Sequence, residues 1–270
     1  NTYKSGYGFL VFKRKSNGIM HIAANGIVAS SVGGATSFTN TLSTSFDGVD
    51  EFITCGDSDD FSFGNGTTDL PFSVSFWLKL NSSIDSQVYI SKNRGGPRRE
   101  WTIGSFSTNK IQIALNNQGG NSEQSIDSTT SLNDNQWYNI ICTYSGVGGS
   151  TAYQGLKIYI DGVLETPTNI VSGTYTAMSN TVAPLTIGRY MAGKVYTNGL
   201  IDEPAIFDTE LNQTQITSIS ATPSDLTTYA PVGWWRADVS TSPTLTDLGS
   251  GGNNGSMLNM DAANFVADVP

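Results

Sequence analysis

The ten residues Leu156-Lys157-Ile158-Tyr159-Ile160-Asp161-Gly162-Val163-Leu164-Glu165 decide the fold class. Two runs of branched and aromatic residues flank an Asp-Gly pair. That pair is favoured in two-residue β-hairpin turns, because both central positions need positive φ and glycine adopts it without steric cost. Outward from this hairpin the chain keeps a strand-like period. Upstream, Trp137 to Tyr144 is almost continuously apolar, as in a strand covered on both faces. Further upstream, Phe72-Ser73-Val74-Ser75-Phe76-Trp77-Leu78-Lys79-Leu80 alternates. Positions 72, 74, 76, 78 and 80 are expected to face a core, with Ser73, Ser75 and Lys79 pointing away and Trp77 marking partial cover of that second face. Val88–Ser91 and Ile111–Leu115 are further short strands. Downstream follow Leu185–Gly188 and Gly199–Glu203, with Ala205–Phe207 continuing past Pro204, a residue that belongs at an edge or a bulge. One helix is predicted: Asn212 caps it, Gln215 takes the reciprocal third position, Ile216 and Ile219 share a face, and Pro223 ends it.

Composition agrees with a packed β protein and excludes several functions. Of 270 residues, 38% are apolar and 10% aromatic, too many for a disordered chain. One histidine and two cysteines rule out a multi-histidine metal centre, a Cys-rich zinc site and a disulfide-dense scaffold. No apolar run approaches the roughly 18 residues of a membrane span, so no membrane insertion is expected. A net charge of −9 argues against nucleic-acid binding. The charge is unevenly spread: residues 1–46 carry Lys4, Lys13, Arg14 and Lys15 with no acid, whereas residues 47–270 hold ten basic and 23 acidic residues, net −13. Within the basic leader, Gly8–Lys15 is expected to form a strand. Asn17-Gly18 should turn it, Ile19–Ile22 should return, and Gly33-Gly34 should act as a joint.

Four motifs then resemble, in order, the LamG-like jelly rolls of the concanavalin A-like lectin and glucanase superfamily. They are Ser45–Ile53, Phe72–Lys79, Gln136–Ile140 leading to Lys157–Gly162, and Leu185–Gly188 with Gly199–Glu203 and the helix after Leu211. The resemblance implies an all-β fold: a two-sheet antiparallel jelly-roll sandwich with one short helix, preceded here by an N-terminal extension. The implied domains are a basic extension, 1–44, and a jelly roll, 45–270. In the family the concave face often binds carbohydrate, and a calcium ion often ties the loops at one edge. One departure stands out. A "WxxD…DxSGxGNxG" segment that commonly opens such domains here comes last, as Trp234–Asp238 and Asp247–Gly255. Residues 231–270 are therefore expected to fold back beside the first strand and complete the sandwich, either of the same chain or of a neighbouring subunit. This permuted ending also resembles structural proteins of marine bacteriophages.

Candidate chemistry follows from residue types. Glucanases of the superfamily place two carboxylates on one strand face in a Glu-x-Asp-x-x-Glu pattern, and no such spacing occurs here. Adjacent Asp202 and Glu203 would point to opposite faces. His21 has no acid near it in sequence, and no nucleophile-elbow, zinc-protease or phosphate-loop motif is present, so no enzymatic activity is expected. For calcium, the family resemblance points to Asp47 and Asp202 as ligands, with Asp50, Asp57, Asp59 and Asp60 forming a nearby acidic cluster. For sugar, Trp101, Tyr190 and Tyr196 offer aromatic faces. Arg94, Arg98 and Arg99, in the basic stretch Lys92–Arg99, offer bidentate contacts, while a tryptophan such as Trp101 is more often core than ligand platform. Cys55 and Cys142 read as buried free thiols.

The expectation drawn from these features is a non-enzymatic phage virion protein, a capsid decoration, fibre or tail component. Its basic extension would dock on other virion proteins while an acidic, lectin-like jelly roll faces outward, homo-oligomeric and able to adsorb to host-surface polysaccharide. The alternative is a secreted or surface bacterial carbohydrate-binding adhesion module.

Overall fold

In a computed structural model, the structure describes residues 12–13, 19–20, 38–82, 86–106, 108–117, 119, 122–190 and 195–270. The chain divides into two units, Asn1–Phe38 and Thr39–Pro270. In the first, Phe12–Lys13 pairs antiparallel with Ile19–Met20. Phe12 lies opposite Met20 and Lys13 opposite Ile19, a register different from that of a two-residue Asn17-Gly18 turn, which would set Lys13 opposite Ile22. The remainder of the Gly8–Lys15 strand, the Asn17-Gly18 turn, His21 and the Gly33-Gly34 joint lie outside the described residues.

The second unit is a sandwich of two antiparallel sheets. The first sheet runs in the order Val163–Leu164, Leu156–Ile160, Trp137–Tyr144, Phe72–Leu80, Asn198–Phe207, Ser43–Asp47 and Phe265–Val266. The second runs Thr168–Ser172, Glu123–Ser131, Lys110–Asn116, Arg98–Ser105, Gln87–Gly95, Leu185–Ile187, Phe52–Gly56, Gly255–Leu258, Thr244–Asp247 and Gly233–Thr241. Gly233–Thr241 also pairs with Asn198–Phe207, so it joins the two sheets along one edge. Residues 233–266 thus supply strands to both sheets of their own chain.

The Asp161-Gly162 turn has the expected geometry: φ is 51° and 77° at the two positions, and Ile160 lies opposite Val163. On strand Phe72–Leu80 all five alternate apolar positions are buried at the interface between the sheets. Ser73 and Ser75 are buried too, contrary to the solvent-facing expectation. The segment leading to the helix covers Ser73, whose Oγ donates to the Thr209 carbonyl and accepts from Leu211 N–H. The helix, Gln213–Ala221, has the reciprocal Asn212–Gln215 cap and buries Ile216 and Ile219. It is the one α-helix among the described residues.

The second sheet carries one row of large apolar side chains straight across its inner face. Met257, Ile53, Ile187, Ile90, Ile103, Ile113 and Ile126 are successive cross-strand partners. Because strand side chains alternate, the neighbouring row faces outward: Ser256, Thr54, Thr186, Ser91, Thr102, Ala114 and Ser125. The inner row locks the register, since a one-residue slip would expose it. The outer row leaves a broad floor of small side chains. Between the sheets, Phe72 and Phe76 of the first meet Trp101 and Tyr89 of the second, at ring separations of 5.6 and 6.0 Å.

Candidate functional site

On that outer floor four strands and one short hairpin enclose a groove of about 190 Å³. Strands 87–95 and 98–105 contribute Asn93, Arg99 and Thr102, with Phe106 just beyond; strand 110–116 contributes Gln112, Ala114 and Asn116; strand 123–131 contributes Glu123. Tyr190, from the pairing of Arg189–Tyr190 with Val195–Tyr196, forms the remaining wall. The polar groups are partly committed to one another. Asn93 Nδ2 donates to Thr102 Oγ1 (2.9 Å), Gln112 Nε2 to Asp127 Oδ1 (2.7 Å), and Ser125 Oγ to Glu123 Oε1 (2.9 Å). Arg99 Nε is sealed from solvent without a hydrogen-bond partner. Two aromatic rings, a guanidinium, a carboxylate and three amides therefore converge on one polar hollow. It is smaller than the roughly 300–1,000 Å³ typical of small-molecule sites, which suits a single ring better than an extended chain.

Two of the six sequence-expected ligand residues, Arg99 and Tyr190, line this groove. Arg94 and Arg98 are exposed at the adjoining Gly95–Pro97 hairpin tip. Trp101 is fully buried and donates its indole N–H to the Phe61 carbonyl; its position on the inner phase of strand 98–105 makes it core rather than a sugar platform. Tyr196 is also buried. The Arg189 guanidinium stands over its ring at 5.2 Å and over Phe52 at 4.4 Å, which occupies the aromatic face. Lys92 leaves the expected basic cluster: it is buried, bonded to Asp57 (2.7 Å) and the Ala183 carbonyl, with Glu100 at 3.4 Å. The groove's further members, Thr102, Phe106, Gln112, Asn116 and Glu123, were not anticipated. The outward phase of Ile111-Gln112-Ile113-Ala114-Leu115 was the available signal.

The two proposed calcium ligands are not brought together. Both lie at the Asn198–Phe207/Ser43–Asp47 pairing, but Asp47 is opposite Asn198. Asp202 falls four residues along, roughly 13 Å away at the rise of a strand. Asp47 is exposed, and its Oδ1 accepts from Val49 and Asp50 N–H in a local turn. Asp202 is buried and accepts from Asn40 Nδ2 (2.8 Å) and Glu203 N–H (3.0 Å). Among the described residues no group of three or more His, Cys, Asp or Glu side chains is placed to hold a metal ion.

Asp202 belongs instead to a structural cluster. The register shifts between Asp202 and Ala205, Glu203 adopts φ 49°, and Pro204 sits in this bulge, where strand 198–207 changes neighbour from Ser43–Asp47 to Gly233–Trp234. Both carboxylates are buried at the bulge. Glu203 accepts from Arg236 Nε and Trp234 Nε1, each at 2.7 Å; Arg236 Nη2 donates to the Thr39 carbonyl; Asp238 accepts from Thr41 N–H and Oγ1. Burial pushes Asp202 up to about 7 and Glu203 to about 8. The Trp234–Asp238 motif thus anchors the start of the sandwich. Asp247 organises its companion loop, accepting from the N–H groups of Trp234, Gly249 and Asn253 at 2.7 Å each.

A second hollow, about 390 Å³ and wide open, is lined by Glu51, Asn259, Met260, Asp261, Ala263 and Asn264. Its polar side chains are engaged internally: Asn259 donates to the Asp50 carbonyl, Asn264 to the Ser45 carbonyl, and Asp261 caps the following turn.

The two-sheet antiparallel sandwich is the concanavalin A-like architecture. The family model of the concanavalin A-like lectin/glucanases superfamily matches residues 47–217, and the chain belongs to that superfamily. Among solved structures, a proposed carbohydrate-binding protein from Bacteroides ovatus is similar at TM-score 0.56 and 14% identity, over 85% of this chain and 62% of that one. The chain thus spans less than two thirds of that protein. The CBM40 of a Ruminococcus gnavus sialidase, bound to α2,3-sialyllactose, is similar at TM-score 0.49 and 10% identity, over 66% of this chain and 96% of that one. No curated protein matches the chain.

Proposed function

We propose that the Thr39–Pro270 unit is a non-catalytic glycan-binding module that takes one sugar unit in the outer groove of the second sheet. The observation that carries this reading is the groove itself. Phe106 and Tyr190 offer faces for the C–H surface of a pyranose, beside Arg99, Gln112, Asn116 and Glu123, which donate to and accept from hydroxyls. The groove's single carboxylate, Glu123, argues against glycoside hydrolysis, which pairs two carboxyl groups about 5–9.5 Å apart.

We also propose that the module is displayed on a phage particle, which places it at the virion surface. The net +4 of residues 1–46 against −13 afterwards supports an extension that docks on an acidic partner, and the permuted Trp234–Gly255 ending supports the phage setting. A glycan array on the full chain tests the binding reading. Wild type should bind a defined glycan set and Tyr190→Ala should lose it, whereas an array without binding contradicts it. Mass spectrometry of purified particles tests the setting. Presence of the chain supports the virion, and its presence instead on a bacterial surface or in culture fluid supports an adhesion module.

A further inference from the structure

We propose that the protein forms a two-fold homodimer by antiparallel pairing of strand Thr168–Ser172 with its own copy, centred on Ile170. This strand bonds to Glu123–Ser131 along one side only and ends the second sheet, so its other side presents unpaired backbone N–H and C=O groups. Residues 166–174 are all exposed. Natural edges are normally guarded by lysines, prolines or bulges. Here the register runs without a bulge, Pro167 precedes the strand without interrupting it, and residues 166–188 hold no Asp, Glu, Lys or Arg.

The neutral strand is where two copies can meet, and its self-complementary sequence points to a second copy as the occupant. Residues 47–270 carry net −13, so two copies repel across most of their surfaces and meet at least cost where both are neutral. Apolar exposure points to the same place. Of twelve well-exposed large apolar side chains among the described residues, two adjacent ones lie on this strand, Ile170 (42% exposed) and Val171 (44%). The strand is also self-complementary. A two-fold centred on Ile170 sets Ile170 against Ile170, with Thr168 against Ser172 on either side. Apolar and hydroxyl cross-strand pairs of these kinds are both favourable. The pairing would merge two second sheets into one. Because Ser172 already lies opposite Glu123 of the groove, it would set the two grooves on one continuous face. A gain in avidity from that arrangement rests on the glycan reading; the dimer does not.

Sedimentation of the full chain reads the dimer without any sugar. Wild type should be dimeric at about 100 µM, within reach of a modest interface. Ile170→Lys, which puts two like charges face to face at an exposed position, should be monomeric with an unchanged near-ultraviolet spectrum and, at concentrations low enough for both proteins to be monomeric, an unchanged melting temperature. Register is tested by cysteine. In the proposed pairing Ile170→Cys places its Cα atoms about 4.5–5.5 Å apart, inside disulfide range. Val171→Cys places them about 8 Å apart, outside it. Oxidation should link the first variant and not the second, with buried Cys55 and Cys142 silent in the wild-type control. A monomeric wild type at that concentration, or equal cross-linking of both variants, would overturn the proposal.

Discussion

Replacing Asp202 with asparagine is expected to stabilise the protein at pH 8 and to leave it nearly unchanged at pH 5. Asp202 is buried beside Glu203, and burial raises both carboxyl groups, Asp202 to about 7 and Glu203 to about 8. The folded chain therefore keeps protons on this pair at pH values where the unfolded chain has released them. Stability is greatest below the unfolded pKa near 4 and falls as pH rises toward the folded value. Between pH 5 and pH 7, Asp202 alone accounts for two pH units at about 1.4 kcal/mol each, or roughly 3 kcal/mol. The carboxylates held low by hydrogen bonds, Glu165 and Asp268 among them, act in the opposite direction but at more acidic pH, so they do not mask the window.

Geometry supports the same conclusion. Asn40 Oδ1 is buried without a partner beside Asp202, and a rotated Asn40 amide would accept from a protonated Asp202. Asparagine at 202 supplies that donor permanently. Urea unfolding of the full chain, followed by tryptophan fluorescence at pH 5, 6, 7 and 8, measures the effect. Wild type should lose stability across the series, and Asp202→Asn should flatten the slope between pH 5 and 7 while Glu203 still titrates. Wild-type stability that stays level or rises from pH 5 to 8, or a variant less stable than wild type at pH 8, would refute the reasoning.

Three further outcomes follow from particular contacts. Asp69 accepts from Tyr144 OH, Tyr175 OH and Met178 N–H at 2.7–2.8 Å in the interior, so Asp69→Ala strands three buried donors and should cost roughly 3–5 kcal/mol by chemical denaturation. Gly188 adopts φ 86°, and a Cβ there would meet the Phe46 ring at 2.5 Å, so Gly188→Ala should lower the melting temperature by an amount equivalent to about 2 kcal/mol or more. Asp47 and Asp202 lie too far apart to share an ion. A calcium-dependent rise in melting temperature abolished equally by Asp47→Asn and Asp202→Asn would contradict that placement.

Local signals carried most of the fold. The Asp161-Gly162 turn, the alternation of Phe72–Leu80 and the Asn212–Gln215 cap are each decided by neighbours within a few residues, and each is legible as a pattern. What was not legible depends on partners distant in sequence. Lys92 reads as part of a surface basic cluster until Asp57 and Glu100 arrive beside it. Trp101 suits a core more readily than a platform, but only its register against Lys92 and Leu115 sends it inward. Asp202 and Glu203 would sit on opposite faces of a regular strand, but the bulge at Pro204 brings both into one buried cluster with Asn40, Trp234 and Arg236. The groove was half visible. Arg99 and Tyr190 follow from residue type, whereas Gln112, Asn116 and Glu123 follow from the outward strand phase together with a pairing order that brings four separate strands side by side.

The central claim is that sugar binds on the outer face of the second sheet. Amide hydrogen exchange of the full chain, with and without a glycan selected from the array, tests it most directly. Binding should slow exchange in Arg98–Ser105, Lys110–Asn116 and around Tyr190, and leave the first sheet unchanged. Protection confined to the hollow at Glu51 and Asn259–Asn264, or to the outer face of the first sheet, would contradict the account.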